Sequence, residues 1–150
     1  MAAMNSSARV LGVDPGSVRI GLAVSDEMGF LAHPFRTLAV EKGDCVNGAP
    51  GIAAAAAEKE VSTIVIGLPR NMNGSYGPAA EKSRALAAAV VPLTTAKVIL
   101  WDERLTTAAA TRRLQEAGRT SREQRGVIDQ AAAVQILQDW LDSRAGCGPA

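Results

Sequence analysis

The sequence is poor in several residue types that carry common chemistries. Aromatic residues make up 3% of the 150 residues, there is one histidine, and the two cysteines, Cys45 and Cys147, are far apart. Without a CxxC spacing we expect neither a zinc site nor a disulfide framework. The histidine, His33, lies in a strand-like stretch and is expected to be structural, so a Ser-His or Cys-His nucleophile has no support. Few aromatics also disfavour binding of single strands by base stacking.

Long apolar runs are missing as well. No stretch approaches the roughly 18 to 20 uninterrupted apolar residues of a membrane span, and the first residues lack the layout of a secretory signal. The composition, 47% hydrophobic and 21% charged, is typical of a globular chain. We therefore expect a cytoplasmic protein without a membrane partner. Its predicted organisation is a disordered N-terminus at 1–8, a single domain at 9–143 and a flexible tail at 144–150.

The apolar pattern predicts an α/β fold. Three successive strands at 8–14, 19–25 and about 30–39 are joined by short turns, which is typical of an antiparallel meander. The rest of the chain reads as a helix at 52–60, a strand at 62–67, a helix at 78–90, a strand at 97–101, a helix from 106 or 107 to 117, and a last helix. Strands reached through helices lie parallel to a neighbour. The prediction is a mixed central sheet, an antiparallel three-strand meander plus parallel strands, flanked by helices.

The last helix has an apolar stripe that should dock on the core. Its start is uncertain, because a capping-box pattern begins at Thr120 or Ser121 but Gly126 interrupts any helix that begins there. The stripe consists of Val127, Ala131, Val134, Leu137 and Leu141.

Acidic residues lie at three separate element ends. Asp14 ends the first strand, Asp102 and Glu103 end the strand at 97–101, and Asp129 lies near the start of the last helix. Taken singly, a turn residue, a solvated strand end and a helix-dipole partner explain them. Because sites of α/β sheets gather at the carboxyl ends of strands, we expect these acids to meet.

Three carboxylates that meet repel one another unless a cation lies between them. Oxygen ligands select a hard ion, Mg²⁺ or Mn²⁺, and a pair of such ions suits hydrolysis of a phosphodiester. Side chains alternate along a strand, so Asp102 and Glu103 cannot both face one site. Which of the two is the ligand stays open on this argument.

Arginine is concentrated just before Asp129. Between residues 103 and 125 there are three glutamates and six arginines, Arg104, Arg112, Arg113, Arg119, Arg122 and Arg125. Guanidinium groups suit bidentate contacts with phosphate, which favours a nucleic-acid partner recognised through its backbone. A solvated helix face is the competing interpretation.

Four motifs together resemble a known family. They are DPGSVRIGLAVSD, VIGLPRNMNGSYGP, WDERLTT and GRTSREQRGVIDQAAAVQILQDWL, in this order between Arg9 and Leu141. In order and spacing they are similar to the YqgF/RuvX family, the bacterial Holliday-junction-resolvase-like proteins also described as pre-16S rRNA nucleases. The resemblance implies an RNase H-like fold, a cytoplasmic location and maturation of the 5′ end of small-subunit ribosomal RNA.

The resemblance also assigns site residues. The first family aspartate matches Asp14, the acid of the DER motif matches Glu103, with Asp102 in reserve, and the aspartate of the IDQ motif matches Asp129. These three are the expected catalytic residues and ligands of Mg²⁺ or Mn²⁺. Expected nucleic-acid contacts are Arg19, Arg104, Arg119, Arg122 and Arg125.

Other functions are compatible with the same residues. The chain could resolve Holliday junctions in DNA, or it could bind precursor rRNA in ribosomal subunit precursors without cutting it. Nucleotide binding is a further alternative, because DPGS resembles the phosphate loop of actin-like ATPases, but those enzymes enclose the nucleotide between two domains and this chain has room for one. A monomer and a homodimer are both compatible with the sequence.

Overall fold

The computed structural model describes residues 9–16, 19–40, 45–69, 77–102 and 122–146, with side chains in the last range from 130 to 144. The strands are β1 (Val10–Pro15), β2 (Arg19–Ser25), β3 (Ala32–Ala39), β4 (Thr63–Leu68) and β5 (Lys97–Asp102). The helices of the described ranges are α1 (Ala49–Lys59), α2 (Pro78–Val90) and α3 (Arg122–Gly146), with short 3₁₀ turns at Cys45–Gly48 and Val91–Leu93. The helix predicted up to residue 117 lies outside the described residues.

The strands form one mixed sheet in the order β3-β2-β1-β4-β5. β1 pairs antiparallel with β2, and β2 pairs antiparallel with β3, as expected of a meander joined by tight turns. β4 lies parallel to β1, and β5 lies parallel to β4, because α1 and α2 carry the chain back between them. The predicted mixed sheet is confirmed, with β1 at its centre.

Each face of the sheet carries its own core. Leu11, Val13 and Ile66 point to the face covered by α1 and α2, where they join one buried cluster. Val10 and Val65 point to the other face and join a second cluster with α3. The central strands are therefore apolar on both sides, which explains why β1 and β4 read as continuous apolar runs.

α3 packs closely on β1 at Gly12. A side-chain carbon on Gly12 would lie 2.7 Å from Leu137 Cβ and 3.1 Å from the Ala133 carbonyl oxygen, so only glycine allows this approach. The buried stripe of the helix is accordingly Ala132, Ala133, Ile136, Leu137, Trp140 and Leu141. Of the predicted stripe, Leu137 and Leu141 are buried, Ala131 and Val134 are half-buried, and the side chain of Val127 is not among those described.

The ends of α3 also differ from the expectation. The helix runs through Gly126 without interruption, since the packed turns that follow supply the stability that one glycine costs, about 1 kcal/mol. It continues to Gly146, so the first three residues of the predicted tail are helical.

The turn between β2 and β3 is held by Asp26. Its Oδ1 accepts hydrogen bonds from the backbone amides of Phe30 (2.7 Å) and Leu31 (2.9 Å). These two bonds, the one from Leu31 first, lower the pKa of Asp26 from its ordinary value of 3.8. The turn therefore presents the exposed side chains of Met28, Phe30 and Leu31 from an ordered backbone.

No helix in the described ranges is long and apolar enough to cross a bilayer.

Candidate active site

Asp14 lies near the carboxyl end of β1, the central strand, and is only 4% exposed. Its side chain points to the α3 face, because Gly12, two residues earlier, contacts α3, whereas Val13 joins the core under α1 and α2. Its burial at the end of the central strand means that it is not a solvated strand-end acid.

Asp14 belongs to a row of residues that crosses the whole sheet on the α3 face. It pairs with Gly21 of β2, and Gly21 pairs with Thr37 of β3. On the other side, the parallel register of β1 and β4 brings Gly67 next to Asp14, and Gly67 pairs with Trp101 of β5. We call this set the Asp14 row.

The two neighbours of Asp14 in the row, Gly21 and Gly67, have no side chains. Adjacent strands are about 4.8 Å apart, so the sheet surface is bare for about one strand spacing on each side of the carboxylate. Trp101 stands at the far end of the row, and its buried indole Nε1 has no hydrogen-bond partner within the described residues. Among the sheet residues that the structure describes, the two positions directly beside Asp14 in the row thus carry no side chain.

Asp102 lies on the opposite face of the sheet. Ile99 and Trp101 pack against the cluster under α3, whereas Val98 packs against the cluster under α1 and α2. By alternation along β5, Asp102 shares the face of Val98. It is also involved in an interaction of its own. Of the two acids at this strand end, Asp102 is therefore turned away from Asp14.

α3 crosses the Asp14 row near Gln130, the first residue of the helix whose side chain the structure describes. Gln138 bonds to Ala32 at the start of β3 and Gln130 bonds to Thr37 near its end, so the helix runs antiparallel to β3 and therefore to β1. Ala133 of the helix lies over Gly12. One turn earlier, Gln130 Nε2 donates a hydrogen bond of 2.9 Å to Thr37 Oγ1, at the end of the Asp14 row. The backbone of residue 129, next to Gln130, is thereby placed at the level of Asp14.

Arg19 is the predicted basic residue whose side chain the structure places. It begins β2, is half-buried, and shares the face of Gly21 and Ala23, which is the face of Asp14. It pairs with Ala39 of the edge strand at the same end of the sheet. Asp14 and Arg19 thus lie on the same face and at the same end of the sheet.

The remaining predicted site residues are not all described. Glu103, Arg104 and Arg119 lie outside the described residues, and Arg122, Arg125 and Asp129 are described only as part of the α3 backbone. Over the ranges that the structure describes, no three His, Cys, Asp or Glu side chains form a group that could hold a metal ion.

His33 lies away from the row. It is an exposed residue of β3 that pairs with Val24, at the end of the sheet opposite Asp14. The sequence analysis did not single out Thr37 or Gln130, which the structure joins at the end of the Asp14 row. Gln130 could have been predicted, because it follows Asp129 directly in the IDQ motif. The position of Thr37 depends on a bulge in β3, which no residue type in the sequence predicts.

The amino-acid sequence matches a known protein family. The family model described as RuvX, Holliday junction resolvase, matches residues 8–143. A protein of Geobacillus kaustophilus (strain HTA426) is 46% identical over 138 residues, covering 91% of this chain and 99% of the relative. One of Halalkalibacterium halodurans is 44% identical over 134 residues, covering 89% and 96%. Both carry the name "Putative pre-16S rRNA nuclease".

A solved structure has the same fold. The Thermus thermophilus RuvC chain in complex with a Holliday junction substrate matches with a TM-score of 0.56 at 16% identity, covering 92% of this chain and 96% of that one. The predicted RNase H-like fold is therefore confirmed.

Proposed function

Because the chain belongs to the RuvX family, we propose that it is a nuclease that hydrolyses phosphodiester bonds in structured nucleic acid, with the 5′ end of the 16S rRNA precursor as its substrate. The observation that carries the proposal is Asp14, a buried carboxylate at the carboxyl end of the central strand with a glycine on each neighbouring strand. The names of the relatives support RNA as the substrate. The protein would act in the cytoplasm on ribosomal subunit precursors, as a monomer or a homodimer.

The site would use a divalent cation, Mg²⁺ or Mn²⁺. Asp14, Glu103 and Asp129 would hold it, since carboxylate oxygens are the ligands that these ions prefer. Of the two acids of the WDER motif, Asp102 faces away from Asp14, which favours Glu103 as the ligand. When bound, such ions activate water and stabilise the leaving oxygen of a phosphodiester.

Other residues of the chain would bind and position the substrate phosphates. Because Gly21 and Gly67 carry no side chains, a phosphate group would approach Asp14 along the row, where a larger residue on either strand would obstruct it. Arg19, on the same face and at the same end of the sheet as Asp14, would contact a neighbouring phosphate of the nucleic acid. Arg104, Arg119, Arg122 and Arg125 would extend this contact along the substrate backbone.

One experiment tests both the activity and the substrate. Purified full-length protein is incubated with precursor 16S rRNA and with a synthetic four-way DNA junction, in Mg²⁺, in Mn²⁺ and in EDTA. We expect cation-dependent cleavage of the RNA and none by Asp14→Asn. Preferential cleavage of the junction would instead assign a DNA resolvase, a possibility that the family description supports.

Binding without cleavage is the remaining outcome. If wild type and Asp14→Asn bound the precursor RNA equally, and neither cut it with either cation, the protein would be an RNA-binding assembly factor and the nuclease proposal would be wrong.

A further inference from the structure

Two glutamines fasten α3 to the edge strand β3, one near each end of the contact. Gln130 Nε2 donates to Thr37 Oγ1 at 2.9 Å. Eight residues later, Gln138 Oε1 accepts from the Ala32 amide at 2.9 Å, and its Nε2 donates to the Phe30 carbonyl at 3.0 Å. With a rise of about 1.5 Å per residue, the two fastenings are about 12 Å apart along the helix. Only the first lies at the level of Asp14.

Thr37 faces α3 because β3 contains a bulge. The register of β3 on β2 shifts between Leu22, which pairs with Arg36, and Ala23, which pairs with Pro34, so Phe35 is an extra residue. Without the extra residue, the two-residue alternation that places Ala32 and Pro34 toward α3 would turn Thr37 to the other face.

Contacts on the other face hold the bulge. The Arg36 guanidinium lies 4.4 Å from the centre of the Phe35 ring, and the Lys59 ammonium lies 5.0 Å from it. Arg36 also donates to both carboxylate oxygens of Glu58 in α1, at 3.1 and 3.2 Å. Phe35 and Arg36 are therefore both committed to the α1 side, which leaves Thr37 directed at α3.

We propose that Gln130 and Thr37 are positioning residues, which fix the turn of α3 that carries Asp129 over the Asp14 row. The inference rests on the proposed function, since it takes Asp14 and Asp129 to hold one cation. The ligands come from a strand and from a helix, so their separation depends on how that helix turn sits on the sheet. Thr37 and Asp14 are in the same row, so the bond from Gln130 to Thr37 ties the turn to the strand level of Asp14.

The test measures binding of Mn²⁺ to the full-length protein without nucleic acid, by calorimetry and by the electron paramagnetic resonance signal of free Mn²⁺. Gln130→Met keeps the length of the side chain and removes its donor. Thr37→Val keeps the shape and removes the acceptor. Loss of one hydrogen bond predicts that each variant binds Mn²⁺ about three- to tenfold more weakly. The double variant should bind no more weakly than Thr37→Val alone, because that change already removes the acceptor of Gln130.

Two controls separate positioning from general stability. Gln138→Met removes the other fastening of α3 and should lower the melting temperature without changing Mn²⁺ affinity. Thr37→Ser keeps the hydroxyl and should bind Mn²⁺ within about twofold of wild type.

The outcomes are distinguishable. Equal Mn²⁺ affinity in wild type, Gln130→Met and Thr37→Val would overturn the positioning role alone. An equal loss in Gln138→Met would also overturn it, because any loosening of α3 would then suffice. Wild type that binds no Mn²⁺, or binds it as well as Asp14→Asn does, would overturn the metal site and this inference with it.

Discussion

Asp14 and Asp102 both stand near the carboxyl ends of strands of one sheet, yet their side chains leave the sheet on opposite faces. The difference follows from their register, since Asp14 is level with Trp101 and Asp102 comes one residue later. On this ground we propose that Glu103, and not Asp102, is the acid of the WDER motif that acts with Asp14.

The first prediction compares those two acids. Glu103→Gln should lower the rate of RNA cleavage at least about 100-fold, since a bound cation contributes several kcal/mol of transition-state stabilisation. Asp102→Asn should change the rate less than about threefold, as a substitution away from the site does. Single-turnover cleavage measures both, with melting temperatures to confirm folding. The reverse ranking would mean that β5 loses its alternation after Trp101.

The second prediction concerns the arginines before and within α3. Replacing Arg119, Arg122 and Arg125 with glutamine should weaken RNA binding and reduce the slope of log affinity against log salt by about 2 to 3, because each phosphate contact contributes about 0.7 to 0.9. Filter binding from low to high salt, in the Asp14→Asn background, measures the slope.

Replacing Arg9 and Arg84 with glutamine provides the control for that experiment. Arg9 is ion-paired with Glu27 at the end of the sheet opposite Asp14, and Arg84 is ion-paired with Glu81 in α2, on the other side of the sheet. Their replacement should leave the slope within the error of wild type. If both sets reduced the slope equally, general charge would explain binding and the placement of the RNA would be wrong.

The third prediction concerns the approach of α3 to β1. Gly12→Ala should lower the free energy of unfolding by about 1 to 3 kcal/mol, since the added carbon meets Leu137 Cβ at 2.7 Å and a backbone oxygen at 3.1 Å, neither of which is a flexible chain end. Urea denaturation measures the loss. Mn²⁺ affinity should fall as well, because the displaced helix carries Asp129.

Gly51→Ala is the matched control. Its added carbon would meet Leu38 Cδ1 at 3.0 Å, at the end of a flexible side chain, and alanine gains about 1 kcal/mol over glycine inside a helix. This variant should be as stable as wild type or more so. Equal destabilisation by both substitutions would mean that the Gly12 contact has no special role.

The fourth prediction is a dependence of stability on pH. Hydrogen bonds from the amides of Leu31 and Phe30 lower the pKa of Asp26 below 3.8 in the folded protein, so the folded state favours the charged form. The resulting stabilisation is complete above the unfolded pKa and is lost as the pH falls through the folded one. Asp26→Asn keeps an acceptor but does not titrate, so its melting temperature should fall less than that of wild type below about pH 4. Parallel curves from pH 7 to 2.5 would contradict the assignment.

The order of strands and helices along the chain was largely predictable from the sequence, and the row across the sheet was not. Apolar runs and turn residues located β1, β2 and α2 because those signals are local. The rotation of α3 is not local: it is set by the close approach at Gly12, so Ala133 and Ile136 became buried where the stripe had predicted Ala131 and Val134.

The candidate site was predictable in part for the same reason. Acids at element ends predicted Asp14, and the family resemblance predicts Glu103 rather than Asp102 as its partner. Thr37 was not predictable, because its direction depends on the extra residue at Phe35. Phe35 and Arg36 are held on the α1 side by Lys59 and Glu58, which are distant in sequence.

The bond between Thr37 and Gln130 joins residues 93 positions apart. During synthesis, the meander that holds Asp14 leaves the ribosome long before α3 exists. A contact of such large sequence separation forms late, after the loop between its ends has closed. The proposed nuclease would therefore leave the ribosome with an incomplete active site. The site would be completed only when α3 folds onto the sheet.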